Sequence, residues 1–268
     1  MKEKLKIGIG IALIIILLGL IGWGVYSAVK ANTEEVVHPV ATFEIQDYGV
    51  VKLELYPEYA PNTVANFIAL INSGFYQNKV IYGKDDLCLY MARDIAEDAK
   101  GPMLSLIDSE VQADSDDDYE YEINGEFIAN QFEQNTLRHE KGVLSLNRSD
   151  YSAYGLTEES YNSGSYRFSV MMTENANLNG VYCAFGKVTE GIEVLEKIYN
   201  EAEIVSHEET EENDHEEDEN AIQEFANQAV ITNASIETYG IDYGKPVVHE
   251  AFDIQSYINN LYSQYISN

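Results

Sequence analysis

Only two cysteines, Cys88 and Cys183, occur in 268 residues, too few to define a disulfide framework. A single bridge outside the cell and two buried free thiols both stay open, and the thiols are the simpler reading. Positive charge is also scarce. Lys and Arg total 16 against 46 Asp and Glu, for a net charge of −30. Phosphates would be repelled at long range, which argues against a nucleic-acid partner. A third shortage is chemical. The stretch "KVIYGKDDLCLYMARD", residues 79–94, offers no evident nucleophile, acid–base pair or metal-ligand set.

Long apolar runs are absent except at the start, where "IGIGIALIIILLGLIGWGVYSAV" carries no charge over residues 7–29. As a helix it would reach roughly 34 Å, enough to cross a bilayer. Lys2, Lys4 and Lys6 precede it and Glu34 and Glu35 follow, so residues 1–6 should stay cytoplasmic and the rest be exported. Trp23 and Tyr26 would sit near the far interface. The competing reading is a signal peptide cleaved near Ala31, with Val29 and Ala31 as the small residues. No Cys follows directly, so lipid attachment there is excluded.

Beyond a polar linker at 30–40, "ATFEIQDYGVVKLELY" alternates. Phe43, Ile45, Val51, Leu53 and Leu55 share one face, and Gln46–Gly49 supplies the turn of a hairpin. "APNTVANFIALINSG" predicts a helix: Pro61 suits its first turn, Val64, Phe67, Ile68 and Ile71 form a stripe, and Gly74 ends it. Residues 80–95 and 102–107, "GVLSL", "SYRFSVMM" and "VYCAFGKV" predict further strands. "TEGIEVLEKIYN" predicts a short amphipathic helix through Ile192, Leu195 and Ile198. "QAVITNASIETYGIDYG" returns to strand character, and in the tail 246–268 Ile254, Tyr257, Ile258, Leu261, Tyr262 and Tyr265 fall on one helical face.

Two acidic segments interrupt this order. Residues 108–122 read as a solvated loop, because the Gly and Glu of a calcium loop do not fall at their offsets from Asp114. Residues 201–221, with 11 acidic side chains between Glu201 and Glu219, read as a disordered insertion. His207 and His215 within it leave weak metal binding conceivable. Many strands with two short helices indicate a mainly β barrel.

Several separate stretches resemble one family. "TFEIQDYGVVKLELYPEYAPNTVANFIALINSGFY", "INGEFIANQF" with "LRHEKGVLSL", "NSGSYRFSV", "LNGVYCAFGKVTEGIEVLEKI" and "ITNASIETYGIDYG" are similar, in order, to cyclophilin-type peptidyl-prolyl isomerases. The resemblance covers residues 41–245 and implies a closed eight-stranded antiparallel β-barrel capped by two helices. It also implies proline-containing peptides or unfolded exported proteins as partners, and neither metal nor cofactor.

The family's site reads approximately F-H-R-x-x-x-x-F-M-x-Q-G-G. Counted along this sequence, Phe becomes Ile81, His becomes Tyr82 and the catalytic Arg becomes Gly83. The pocket Phe becomes Cys88, Met becomes Leu89, Gln becomes Met91, and the two Gly become Ala92 and Arg93. On the other wall Q-F-F becomes Arg167, Phe168 and Ser169. Asn177 stands before a retained Leu178, Tyr182 takes the place often held by His, and Asn147 and Arg148 complete the expected groove. No catalytic residue is therefore firm. Arg148 and Arg167 are the candidate substitutes, set against a plain role in surface ion pairs, and Lys84 is a weaker one. The expectation is an exported, membrane-tethered isomerase with weak or lost activity. The alternatives are a non-catalytic peptide-binding chaperone or assembly module, and a module whose acidic loops sequester cations or basic clients.

Overall fold

A computed structural model describes residues 16–17, 19–24, 36–95, 100–109, 118–205 and 222–266. The chain divides into two units, Met1–Val37 and His38–Asn268, and everything below concerns the second. Among the described residues no helix is long and apolar enough to cross a membrane. Most of the expected span 7–29 lies outside the described residues, as do His207, His215 and most of the acidic insertions.

Alternation builds the first hairpin. β1 (Val40–Ile45) pairs with β2 (Gly49–Leu55), and Phe43, Ile45, Val51, Leu53 and Leu55 are all buried. The remaining strands are β3 (Val80–Lys84), β4 (Cys88–Arg93), β5 (Tyr121–Glu122), β6 (Val143–Leu146), β7 (Phe168–Met171), β8 (Cys183–Glu190), β9 (Gln223–Glu237) and β10 (His249–Glu250). Eight of them close into a barrel in the order β1-β2-β8-β6-β7-β4-β3-β9, with antiparallel pairing throughout and β9 returning to β1. This is the barrel the resemblance implies.

Helix α1 (Pro61–Asn72) packs on β9 and drives Phe67 into a ring cluster with Phe43, Phe168 and Phe185 at centroid distances of 5.2–6.0 Å. Its first turn has no side-chain cap of its own. Glu126, distant in sequence, accepts hydrogen bonds from the Asn62 and Thr63 amides and the Thr63 hydroxyl, so it occupies donors that would otherwise be orphaned. α2 (Thr157–Tyr161) is a single turn or so. α3 (Ile192–Glu201) lies on β2 and buries Leu195 and Ile198. It begins at Gly191, where φ is +82° and a Cβ would stand 2.3 Å from the Val50 carbonyl oxygen, so only glycine fits.

Three local expectations change. Residues 102–107 form one bridge, Met103 with Glu120, and a 3-10 turn at Leu104–Leu106 in place of a strand. The acidic stretch 108–122 ends as β5 because Tyr121 is 1% exposed and its hydroxyl donates to Asn66 Oδ1. In the tail, Val248 is buried and β10 pairs with β5 before α4 (Ile254–Ile266) begins. On α4, Ile254, Tyr257, Ile258 and Leu261 are half-buried, whereas Tyr262 is 66% exposed, off the covered face. The Tyr265 side chain lies outside the described residues.

Candidate substrate groove

The hairpin β3–β4 sets one wall. Its pairing runs Ile81 to Met91 and then Gly83 to Tyr90, so Tyr82 is an extra residue, a β-bulge. Ile81, Leu89 and Met91 point into the core with no exposure. Tyr82, Cys88 and Tyr90 instead line a cavity of about 700 Å3 on the outer face of the barrel. The Tyr82 and Tyr90 rings meet at 5.9 Å, and the Arg93 guanidinium lies 4.6 Å over the Tyr82 ring while bonding Glu224 through both terminal nitrogens. Burial raises the Tyr82 phenol pKa, against the opposing pull of Arg167, Arg93 and an Asn147 hydrogen bond.

Gly83 does not line the cavity. A Cβ on it would stand 2.7 Å from the Gln223 carbonyl oxygen and 2.8 Å from Ile222 Cγ2. Ile222 does line the cavity, so the start of β9 fills the space that a side chain at 83 would need. Asp85 ties the hairpin turn, accepting from the Leu87 and Cys88 amides and the Tyr90 hydroxyl. Both cysteines are free and buried, and burial pushes each thiol up to about 12. Cys88 rests against Met171 sulfur at 3.5 Å, an apolar floor with no thiolate.

The opposite wall comes from the end of β6 and the start of β7, which supply Asn147, Arg148, Arg167 and Ser169. Arg148 lies over three rings, 4.5 Å from Tyr182, 5.1 Å from Tyr161 and 5.9 Å from Phe127. Its Nη1 reaches only the Ser149 carbonyl, at 3.4 Å, and its Nε is buried without a hydrogen-bond partner among the described residues. Arg167 is exposed, and its Nε donates to the Tyr166 hydroxyl. Among the described residues neither arginine forms the surface ion pair set against a role in the groove, and both pack on aromatic rings. Leu178 and Tyr182 close this side. Phe168 is fully buried in the ring cluster instead, and Asn177 is exposed outside the cavity, its amide donating to the Asn175 side chain.

The far end was not anticipated. Pro102, Glu120, Glu122, Tyr166 and Ala251 extend the cavity beyond the expected groove. Glu120 accepts from the Gly101 amide and Glu122 from the Phe252 amide, so the tail segment bearing β10 forms part of this wall. Burial lifts the Glu122 carboxyl to about 7, the Phe252 amide opposing and Glu120 adding to the rise. Lys84 sits elsewhere, with its ammonium on the Tyr199 carbonyl. Among the described residues no cluster of three His, Cys, Asp or Glu is placed to hold a metal. The assembled groove offers an apolar and aromatic floor with phenol, amide and guanidinium donors along its walls. Such a surface can hold an extended peptide and hydrogen-bond its amides.

A family model described as cyclophilin type peptidyl-prolyl cis-trans isomerase/CLD matches residues 40–225. Peptidyl-prolyl cis-trans isomerase B of Bacillus subtilis is 29% identical over 164 residues, which are 59% of this chain and 89% of that protein. A peptidyl-prolyl cis-trans isomerase of Arabidopsis thaliana is 28% identical over 151 residues; the match spans only about half of each chain, 56% in both. In fold, the chain is similar to a crystal structure of a cyclophilin type isomerase of Cryptosporidium parvum, with a TM-score of 0.53 and 18% identity over 75% of this chain and 99% of that one. A second structure of that protein, in the presence of the dipeptide Ala-Pro, gives 0.52 at the same identity, over 74% of this chain and 99% of that one.

Proposed function

Because the chain belongs to the cyclophilin-type peptidyl-prolyl cis-trans isomerases, we propose that it holds proline-containing segments of exported proteins at the outer face of the membrane and turns them over weakly or not at all. Residues 7–29 serve as the anchor in this reading, by their length and freedom from charge.

Isomerisation about an X-Pro bond faces a barrier of ~18–20 kcal/mol from amide resonance. No covalent step is needed. Catalysis asks for an apolar seat for the ring and a fixed donor to the amide as it twists out of conjugation. One observation carries the reading of weak turnover: the β3 wall presents the Tyr82 phenol, while Gly83 has no side chain and its space is filled by Ile222 and Gln223. A buried neutral phenol is a weaker donor than a guanidinium. Cys88 and Ser169 line the groove where the family pattern has Phe, which shrinks the apolar seat.

A non-catalytic peptide-binding module is the second reading, favoured by a cavity that persists at about 700 Å3 without that guanidinium. Residual turnover falls to Arg148 and Arg167, the two guanidiniums that line the groove. The test is binding of an Ala-Pro-containing peptide to the full-length chain beside its Pro→Ala counterpart. Preference for the Pro peptide supports a proline groove. Equal binding sinks it.

A further inference from the structure

The chain carries 46 acidic residues against 16 basic ones, so carboxylates are in excess over the cations they can pair with. Lys52, Lys79, Arg93, Arg138, Lys141 and Lys245 each sit on one. The two arginines of the groove behave differently. Among the described residues neither Arg148 nor Arg167 forms an ion pair, and both are held by aromatic rings. Asp150, close in sequence to Arg148, accepts from the Ser152 amide and feels the guanidinium only weakly.

Stacking fixes the plane of a guanidinium while leaving its edge donors open, an arrangement suited to receiving a planar anion. Two buried polar atoms of the same cavity wall, Arg148 Nε and Ser165 Oγ, have no hydrogen-bond partner among the described residues. Buried polar groups are almost always satisfied; Asp94 Oδ2 and His249 Nε2, away from the cavity, are the other exceptions among the described residues, and the pair in this wall leaves unused polar capacity beside the groove. The cavity's own carboxylates are engaged within the fold: Asp85 by two amides and a phenol, Glu120 by the Gly101 amide, and Glu122 by the Phe252 amide.

We propose that this groove selects peptides carrying an acidic side chain beside the proline, with Arg148 and Arg167 receiving the carboxylate. The inference rests on the groove being a proline-peptide site and names the class of client it takes. Long-range electrostatics run against it, because a net charge of −30 repels acidic peptides. Any preference for them must therefore arise locally, at the arginine wall.

The experiment titrates the full-length chain with blocked octapeptides containing a single proline, in matched pairs bearing Glu or Gln one or two residues before the proline or one after it. At least one Glu peptide binds about tenfold tighter than its Gln partner, the return expected of one well-formed charge-assisted contact. Arg167→Gln, at an exposed position that should not disturb folding, brings that ratio close to one, and Arg148→Gln does the same. Equal affinity within every pair overturns acidic selection while leaving the proline groove standing, since the Pro→Ala control still discriminates. Failure of every peptide, Pro and Ala forms alike, overturns the groove reading and this inference with it. A phosphoserine arm separates the source of the anion: tight binding there, with Glu no better than Gln, overturns the carboxylate assignment in favour of phosphoryl oxygens.

Discussion

Two substitutions one residue apart separate the position that matters on β3 from the one that counting along the sequence selects. Tyr82 already projects into the groove, so Tyr82→Arg places a guanidinium there. The change loses a ring contact at 5.9 Å with Tyr90 and the stacking of Arg93 at 4.6 Å. Together these are worth about 1–2 kcal/mol of stability. Glu224 keeps Arg93 neutralised, whereas Arg167, the larger electrostatic influence on Tyr82, has no ion pair among the described residues, and its repulsion adds to that cost. The return is a fixed donor facing the prolyl amide. One preorganised donor is worth about 3–4 kcal/mol in the transition state, or ~100–1000-fold in rate.

Gly83→Arg meets the opposite fate. Its Cβ would stand 2.7 Å from a backbone oxygen of Gln223 and 2.8 Å from Ile222. β9 must shift away from β3, at about 1–3 kcal/mol for overpacking, and the new side chain is not aimed at the peptide. The assay is cis-to-trans conversion of a proline reporter peptide, with urea midpoints for each variant. Tyr82→Arg should raise turnover with modest loss of stability, and Gly83→Arg should lower stability without raising turnover. Restored turnover and native stability in Gly83→Arg, with none in Tyr82→Arg, would refute the reasoning from the bulge.

Other outcomes follow from the same contacts. Glu122 has a folded-state pKa of about 7 against 4.5 for the free side chain, so its protonated form is favoured on folding. Its contribution is fully present below 4.5 and is lost as pH rises to about 7; urea midpoints should therefore fall over that window relative to Glu122→Gln, and parallel curves would contradict the assignment. With both thiols pushed up to about 12, Cys88 and Cys183 should resist a thiol reagent in the native state at pH 8 and react on unfolding; rapid native labelling would show an open floor. Deleting residues 246–268 removes buried Val248, the β10 pairing and the Ala251 wall, so stability should drop by about 1.5–3 kcal/mol or more, with weaker peptide binding. A truncated chain with full stability and affinity would make the tail a passive appendage.

Strict alternation made the β1–β2 hairpin readable, and the stripe through Val64, Phe67 and Ile71 did the same for α1. Faces on β4 were harder to read. Plain alternation puts Cys88 and Tyr90 on the groove side of β4 and Leu89 and Met91 in the core, and two irregularities in the β3–β4 pairing, at Tyr82 and at Ala92, hide that register from a count along the sequence. The far end of the cavity escaped for other reasons. Tyr121 hides at the end of an acidic run, and β10 is only two residues long, too short for any periodic signal. Ala251 joins the groove through tertiary pairing alone. Arg148 and Arg167 were visible as groove candidates, but nothing in their neighbours along the chain shows that aromatic rings rather than carboxylates hold them.

The most direct measurement is turnover of a proline reporter peptide by the unaltered full-length chain, beside an isomerase that keeps the family arginine. Without a guanidinium on β3, catalytic efficiency should fall about 100–1000-fold below that reference. Efficiency equal to the reference would contradict the account, and would place the catalytic donor on the wall that carries Arg148 and Arg167.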